Sequence, residues 1–189
     1  MNIGLYFGSF NPVHIGHLII GNHVLNRADI QQVWFVVSPQ NPLKPSAVLL
    51  NEYHRLHLVQ LAVEGNLQLK AVDFEFKLPR PSYTIDTLTY FTEKYPQHHF
   101  FVIMGSDSFQ NLPRWKSFDS LVKDYSFIIY ERPGFKIEND YGAKLQILKA
   151  PLLEISATEI RNAIKQGQSV RYLLPEKVLE EIERTGYYK

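Results

Sequence analysis

His14 and His17 flank Ile15-Gly16 in the segment Gly8-Ser9-Phe10-Asn11-Pro12-Val13-His14-Ile15-Gly16-His17, which follows the apolar run Ile3 to Phe7 and precedes the run Leu18 to Leu25. The two imidazoles therefore stand where a strand hands over to a helix. The free backbone N–H groups and positive dipole end of a helix start favour anions, phosphate above all. A His-x-Gly-His match arises by composition alone on the order of once in a hundred such chains, so the surrounding pattern has to carry the argument. An opening strand, a turn holding Gly8, Asn11 and Pro12, and a helix beginning near Ile15 make the first half of a βαβ unit, whose strand C-terminal end is the usual ligand crevice. The pair has no sequence-local carboxylate or third ligand, and the chain has no cysteine, which argues against a metal site. Phosphate binding is the chemical expectation, and plain capping and packing of a helix start is the structural alternative.

A second constellation is Ser156-Ala157-Thr158-Glu159-Ile160-Arg161. Either hydroxyl can cap a helix with Glu159 in its first turn, and Arg161 falls three residues beyond Thr158 on nearly the same face. Ordinary capping explains the Ser, Thr and Glu. Free N–H groups, two hydroxyls and a guanidinium at one helix end also suit a di- or triphosphate.

The elements that must position these groups read as an alternation of strands and helices. At 189 residues the chain is expected to form one domain that buries roughly 70% of its unfolded surface. Val33 to Val37 is a β-branched and aromatic run fit for a strand buried on both faces. Pro39, Pro42 and Pro45 then exclude regular structure, and Asn51 caps a helical pattern through Tyr53, Leu56, Leu58, Leu61 and Ala62 that ends at Gly65. Leu67 to Phe76 alternates Val72, Phe74 and Phe76 against Asp73 and Glu75, which predicts a strand. Ser82 or Thr84 opens a helix to about Tyr95, Phe100 to Met104 is a strand ending at Gly105-Ser106-Asp107-Ser108, Tyr125 to Tyr130 is another, and Leu145 to Leu148 is a weaker one. Such alternation calls for an α/β fold, Rossmann-like and doubly wound, with a mostly parallel sheet. Residues from about 155 onward, with helical patterns at about 158–166 and 175–185, are expected as a small helical appendage on the sheet edge.

Lysine plus arginine is 20 against 19 acidic residues, a net charge of +1, so the chain lacks the broad basic field of a nucleic-acid binder. The N-terminus has no basic region before its short apolar run, and no segment approaches 18 uninterrupted apolar residues, so neither a signal peptide nor a membrane span is expected. Cytoplasmic residence is the expectation, and oligomeric state is left open.

Taken together, the first motif and Ile155-Ser156-Ala157-Thr158-Glu159-Ile160-Arg161 closely resemble the His-x-Gly-His nucleotidyltransferase superfamily, and within it the bacterial nicotinate-nucleotide adenylyltransferases. Pro42-Leu43-Lys44-Pro45, Ser82-Tyr83-Thr84-Ile85-Asp86-Thr87-Leu88, and Gly105-Ser106-Asp107-Ser108 through Leu112-Pro113-Arg114-Trp115 match that family in order. Five ordered motifs across nearly the whole chain are far more specific than either end motif. Ser9 stands where many members have threonine, and Leu43-Lys44 replaces the more frequent His-Lys or His-Arg.

The resemblance implies adenylyl transfer from ATP to nicotinate mononucleotide, giving nicotinate adenine dinucleotide and pyrophosphate. The other acceptors to weigh are nicotinamide mononucleotide and phosphopantetheine, and a catalytically silent nucleotide-binding module is the reading from another class. By the same resemblance His17 and His14 contact the ATP phosphates with Gly8, Ser9 and Phe10 lining the crevice, Ser156, Thr158 and Arg161 bind the β- and γ-phosphates, and Lys44 closes over them. On the acceptor side it implies Trp115 stacked on the pyridine ring, Thr84 with backbone N–H groups near Trp115 and Lys116 at the nicotinate carboxylate, Gly105 and Asp107 by the nucleotide, and Arg132 near its phosphate. Magnesium would arrive with ATP, held mainly by the triphosphate oxygens rather than by a protein site.

Overall fold

The run Val33-Trp34-Phe35-Val36-Val37 is apolar at both parities, so it is stable only in a sheet covered on both faces. The computed structural model describes residues 1–40, 49–149, 151 and 154–189. Among these, strands β1 (Asn2–Gly8), β2 (Gln32–Val37), β3 (Leu69–Val72), β4 (His99–Gly105), β5 (Ser126–Tyr130) and β6 (Lys144–Leu148) form one sheet in the order 3-2-1-4-5-6. Every pairing is parallel. The helices are α1 (Ile15–Arg27), α2 (Glu52–Val63), α3 (Thr84–Lys94), α4 (Ser106–Gln110), α5 (Phe118–Asp124), α6 (Ala157–Lys165) and α7 (Glu176–Thr185). No helix of the described residues is long and apolar enough to cross a membrane.

Alternate side chains of the strands feed two cores. Val33, Phe35, Val37 and Tyr6 join Val24 of α1 and Leu58 and Val59 of α2 on one face. Ile3, Leu5, Trp34 and Val36 join Leu88 and Phe91 of α3 and Leu121 of α5 on the other. Strand order reverses at the β1–β4 pair, and in such sheets the ligand crevice lies at the carboxyl ends of the strands beside that point. Here those ends are Gly8 and Gly105.

Three details differ from the sequence expectation. The strand expected over Leu67 to Phe76 is only Leu69–Val72, followed by a short 3₁₀ turn over Phe74–Lys77. β3 is an edge strand, its register with β2 runs only from Val33 to Val36, and beyond it the chain turns to bury Glu75, at 2% exposure. The N-cap of α3 is Tyr83 rather than Ser82 or Thr84, because the Ser82 hydroxyl is committed elsewhere: it donates to Glu75. The C-terminal helices lie over a face instead of the edge: Ile160, Val170, Val178 and Ile182 enter the core of α1 and α2, and the Ile15 N–H donates to the Leu173 carbonyl at 3.0 Å.

Candidate functional site

The β1–α1 turn is built around the two histidines. His14 is the extended N-cap of α1 (φ −142°, ψ 171°) and is buried. Its N–H donates to His17 Nδ1 at 3.2 Å, while the His17 N–H donates back to the His14 carbonyl at 3.0 Å. Acceptance at Nδ1 assigns the His17 proton to Nε2. The rings stack with centroids 3.7 Å apart and planes 30° from parallel. Gly16 makes room for this stack, since a Cβ there would lie 3.1 Å from His14 Cε1 and Nδ1. Phe10, in the left-handed region at φ 45°, sets its ring edge-on to His17 at 5.0 Å.

Burial first, and the Arg132 guanidinium second, hold the His14 imidazole well below its ordinary value, at about 4. The sign follows from linkage: between about pH 6.5 and pH 4 the unfolded chain binds the proton and the fold does not, so the contribution to stability is complete above that window and is lost as pH falls through it. Thermal unfolding followed from pH 7.5 to 4.5 without nucleotide is expected to lose less Tm in His14→Gln than in the unaltered chain. Equal losses would show that His14 does not titrate this way.

Asn11 gathers three distant segments. Its carbonyl accepts from Arg161 Nη1 at 2.8 Å, and its Oδ1 accepts from the Leu50 N–H at 3.2 Å and the Tyr188 hydroxyl at 2.9 Å. Arg161 Nη2 also donates to Thr158 Oγ1 at 3.2 Å. Of the two candidate hydroxyls it is Ser156 that caps α6, accepting from the Glu159 N–H at 3.2 Å and donating to Glu159 Oε2 at 3.0 Å. Capping and convergence on the turn thus coexist in one motif.

The far wall comes from the ends of β4 and β5. Ser106 Oγ accepts from the Arg132 N–H at 2.9 Å, Arg132 Nη2 donates to the Tyr130 hydroxyl at 3.3 Å, and that hydroxyl lies 3.3 Å from the Tyr6 hydroxyl. Arg132 Nε and Asp107 Oδ1 form an ion pair at 3.4 Å. Burial raises the Tyr6 phenol well above its ordinary range, so this phenol stays protonated at neutral pH. Gly105 is required here because a Cβ would meet Asp107 Oδ1 and lie 3.0 Å from Arg132 Nε.

Two adjoining cavities result, of about 970 Å³ and about 610 Å³. The larger is lined by Gly8, Ser9, Phe10, His14, His17, Ser156, Thr158 and Arg161. The smaller is lined by Thr84, Gly105, Trp115 and Lys116. Tyr6, Gly8, Ser9, Asp107 and Tyr130 belong to both walls. Apart from Gly8, Ser9 and Asp107 on the shared wall, the residues matched to the ATP and acceptor motifs line separate neighbouring spaces, except that Arg132, expected with the acceptor group, lines the larger cavity, where its hydrogen bonds to Ser106 and Tyr130 and its ion pair with Asp107 hold it. Trp115 is half-buried against the second core. Lys116 pairs with Asp86 at 2.9 Å and sits over the Tyr83 ring. Lys44 lies outside the described residues. Among those described, no group of three or more His, Cys, Asp or Glu side chains is placed to hold a metal ion.

Two buried ionisable groups escaped the sequence reading. Arg55 is fully buried and donates to four carbonyls: Nε to Leu50 at 2.8 Å, Nη1 to Ser9 at 2.6 Å and Ser38 at 2.8 Å, and Nη2 to Pro39 at 2.9 Å. Glu75 lines the smaller cavity. An available signal for Arg55 was its place on the apolar stripe of α2 with Leu58, Val59 and Ala62, where a cation needs buried acceptors. Glu75 carried no such mark, since alternation gave it an outward face.

The cytidylyltransferase-like family model matches residues 5–163. A "probable nicotinate-nucleotide adenylyltransferase" of Cytophaga hutchinsonii is 48% identical over 100% of this chain and 98% of that protein. A protein of the same description from Bacillus licheniformis is 35% identical over 99% of this chain and 98% of its own length. In fold, the chain is similar to Plasmodium falciparum nicotinic acid mononucleotide adenylyltransferase complexed with NaAD, with a TM-score of 0.83, 22% identity, and coverage of 99% of this chain and 97% of that one.

Proposed function

Since the chain belongs to the cytidylyltransferase-like family and, within it, to the nicotinate-nucleotide adenylyltransferases, we propose that it transfers the adenylyl group of ATP to nicotinate mononucleotide in NAD biosynthesis, releasing pyrophosphate. The observation that carries this reading is the pair of adjoining cavities with a shared wall at Gly8, Ser9, Asp107 and Tyr130. Two nucleotides seated there present a phosphate of one to the α-phosphate of the other. We further propose that residues 1–189 form one nucleotidyltransferase domain, supported by the shared core of Ile160 and Val178 with Tyr6 and Phe35. As a user of ATP in cofactor synthesis, it is assigned to the cytoplasm.

The chemistry needs little covalent help. An oxygen of the mononucleotide phosphate attacks the α-phosphorus, the bond from that phosphorus to the bridging oxygen breaks, and pyrophosphate leaves. The attacking phosphate is already ionised at neutral pH, so no general base is required, and catalysis rests on alignment and on stabilising charge that moves toward the leaving group. His17 donates Nε2–H to the transferring phosphate, its ring fixed by the N–H of His14. His14, neutral at pH 7, supports that ring by stacking and adds a second imidazole to the same wall. Arg161, anchored on Asn11 and Thr158, carries positive charge to the β- and γ-phosphates beside the start of α6. Arg132 faces the same space from the opposite wall, and Lys44 is assigned to closure over the triphosphate. Trp115 and Thr84 receive the pyridine ring and its carboxylate. Magnesium entering with ATP, held mainly by the triphosphate, would supply positive charge to the departing pyrophosphate.

The deciding experiment is pyrophosphate release from ATP and magnesium, with nicotinate mononucleotide, nicotinamide mononucleotide and phosphopantetheine compared side by side. The expected result is release with the first at a kcat/KM above the other two. Faster turnover of the amide would reassign the acceptor, and silence with all three would leave a nucleotide-binding module.

A further inference from the structure

The smaller cavity contains an acid that the reaction above does not use. Glu75 is 2% exposed, and its partners are hydroxyls. Ser82 Oγ donates to Oε2 at 2.8 Å and Thr87 Oγ1 to Oε1 at 3.0 Å, with the Ser38 hydroxyl as a further donor. Burial holds the carboxyl above its ordinary value, against the opposing pull of these hydroxyls. Ser82 and Thr87 flank the start of α3, so one carboxylate grips that corner from both sides. Between them lie Tyr83 and Thr84, which share the cavity wall with Glu75, Trp115 and Lys116. The N-cap residue Tyr83 makes no side-chain cap bond, and the N–H groups at such a helix start favour a negatively charged acceptor.

We propose that Glu75 is a positioning residue that sets the preference of the acceptor cavity for a carboxylate over a carboxamide. The inference rests on the acceptor assignment made above. A rigid corner that offers donors satisfies a carboxylate at both oxygens, whereas the amino group of a carboxamide brings donors against donors. Discrimination of this kind is large only when the site cannot relax to accommodate the wrong group. Glu75 supplies that rigidity, because an acceptor-only group is what three hydroxyl donors require. Glutamine in its place turns an amide NH₂ toward at least one of them and frees the corner to shift.

The test measures kcat and KM for ATP, nicotinate mononucleotide and nicotinamide mononucleotide in the unaltered chain, Glu75→Gln and Thr87→Val. The second variant removes one grip while keeping the acid, and it decides the matter if the first does not fold. The expected result is a fall of about tenfold in the acid-to-amide ratio of kcat/KM, arising mainly in KM for the acid, with KM for ATP unchanged. A ratio that stays at its original value in both variants overturns the proposal. So does an equal loss for both acceptors and ATP with lowered Tm, which is the mark of a merely structural role. If the unaltered chain forms no dinucleotide with either acceptor, the functional reading falls and this inference with it. An unaltered chain that strongly prefers the acid, with variants that do the same, overturns the role of Glu75 alone.

Discussion

His17→Ala is expected to lower kcat for dinucleotide formation by roughly two to three orders of magnitude, the usual effect of removing one donor from a site where charge develops. KM for ATP should change by less than about threefold, because an interaction that strengthens only in the transition state contributes little to ground-state binding. The geometry supports that split. His17 is held by a hydrogen bond to Nδ1 and by rings on two sides, His14 stacked at 3.7 Å and Phe10 edge-on at 5.0 Å, so its Nε2–H is aimed before the reaction begins. The variant also strips the His14 N–H of its acceptor, so a Tm measurement must accompany the kinetics. A fall in kcat matched by an equal rise in KM would remove His17 from the transition state and leave it as a binding group.

The largest effect on stability is expected from Arg55→Met. The methionine fills much of the volume but leaves four buried carbonyls, of Leu50, Ser9, Ser38 and Pro39, without their donor. Each unsatisfied group costs about 1–3 kcal/mol, and release from the cost of burying the guanidinium returns part of that sum. A net loss of about 3–5 kcal/mol follows, which for a chain of this length lowers Tm by roughly 10 °C. Urea unfolding monitored by tryptophan fluorescence measures it directly. Arg55→Lys should fall between the two, since one ammonium cannot reach all four oxygens in their fixed fork. A Met variant within about 1 kcal/mol of the parent would mean that water replaces the guanidinium. Because Ser9 lines both cavities, weaker binding of both nucleotides is expected to accompany the loss.

What the sequence made legible was local. His14, Gly16 and His17 lie within one helical turn, and Ser156, Thr158 and Arg161 within the first turn and a half of another helix, so spacing alone brought their side chains to one helix end. Thr84 and Trp115 were legible only through resemblance, because 30 intervening residues hide their juxtaposition from any periodicity. β3 was overcalled for a plain reason: Val72, Phe74 and Phe76 keep the period of a strand, yet β2 offers an edge partner only as far as Val36. The same error concealed Glu75, which alternation turned to solvent and the 3₁₀ turn buries. Helical patterns in the last forty residues were clear, whereas the face they cover depends on contacts such as that of Ile15 with Leu173, which no local signal encodes.

Three of the bonds at Asn11 bear on how the molecule comes to exist as well as on how it works. They join positions separated by 39, 150 and 177 residues, the last two about as non-local as contacts in this chain can be. Closing such loops costs entropy before any contact rewards it, so these bonds exist only in a chain whose distant segments have already been brought together. Competence to grip a nucleotide then reports completion of the entire topology. A nucleotide that binds only this finished state draws the whole population toward it by mass action, which makes the substrate a late custodian of the fold that receives it.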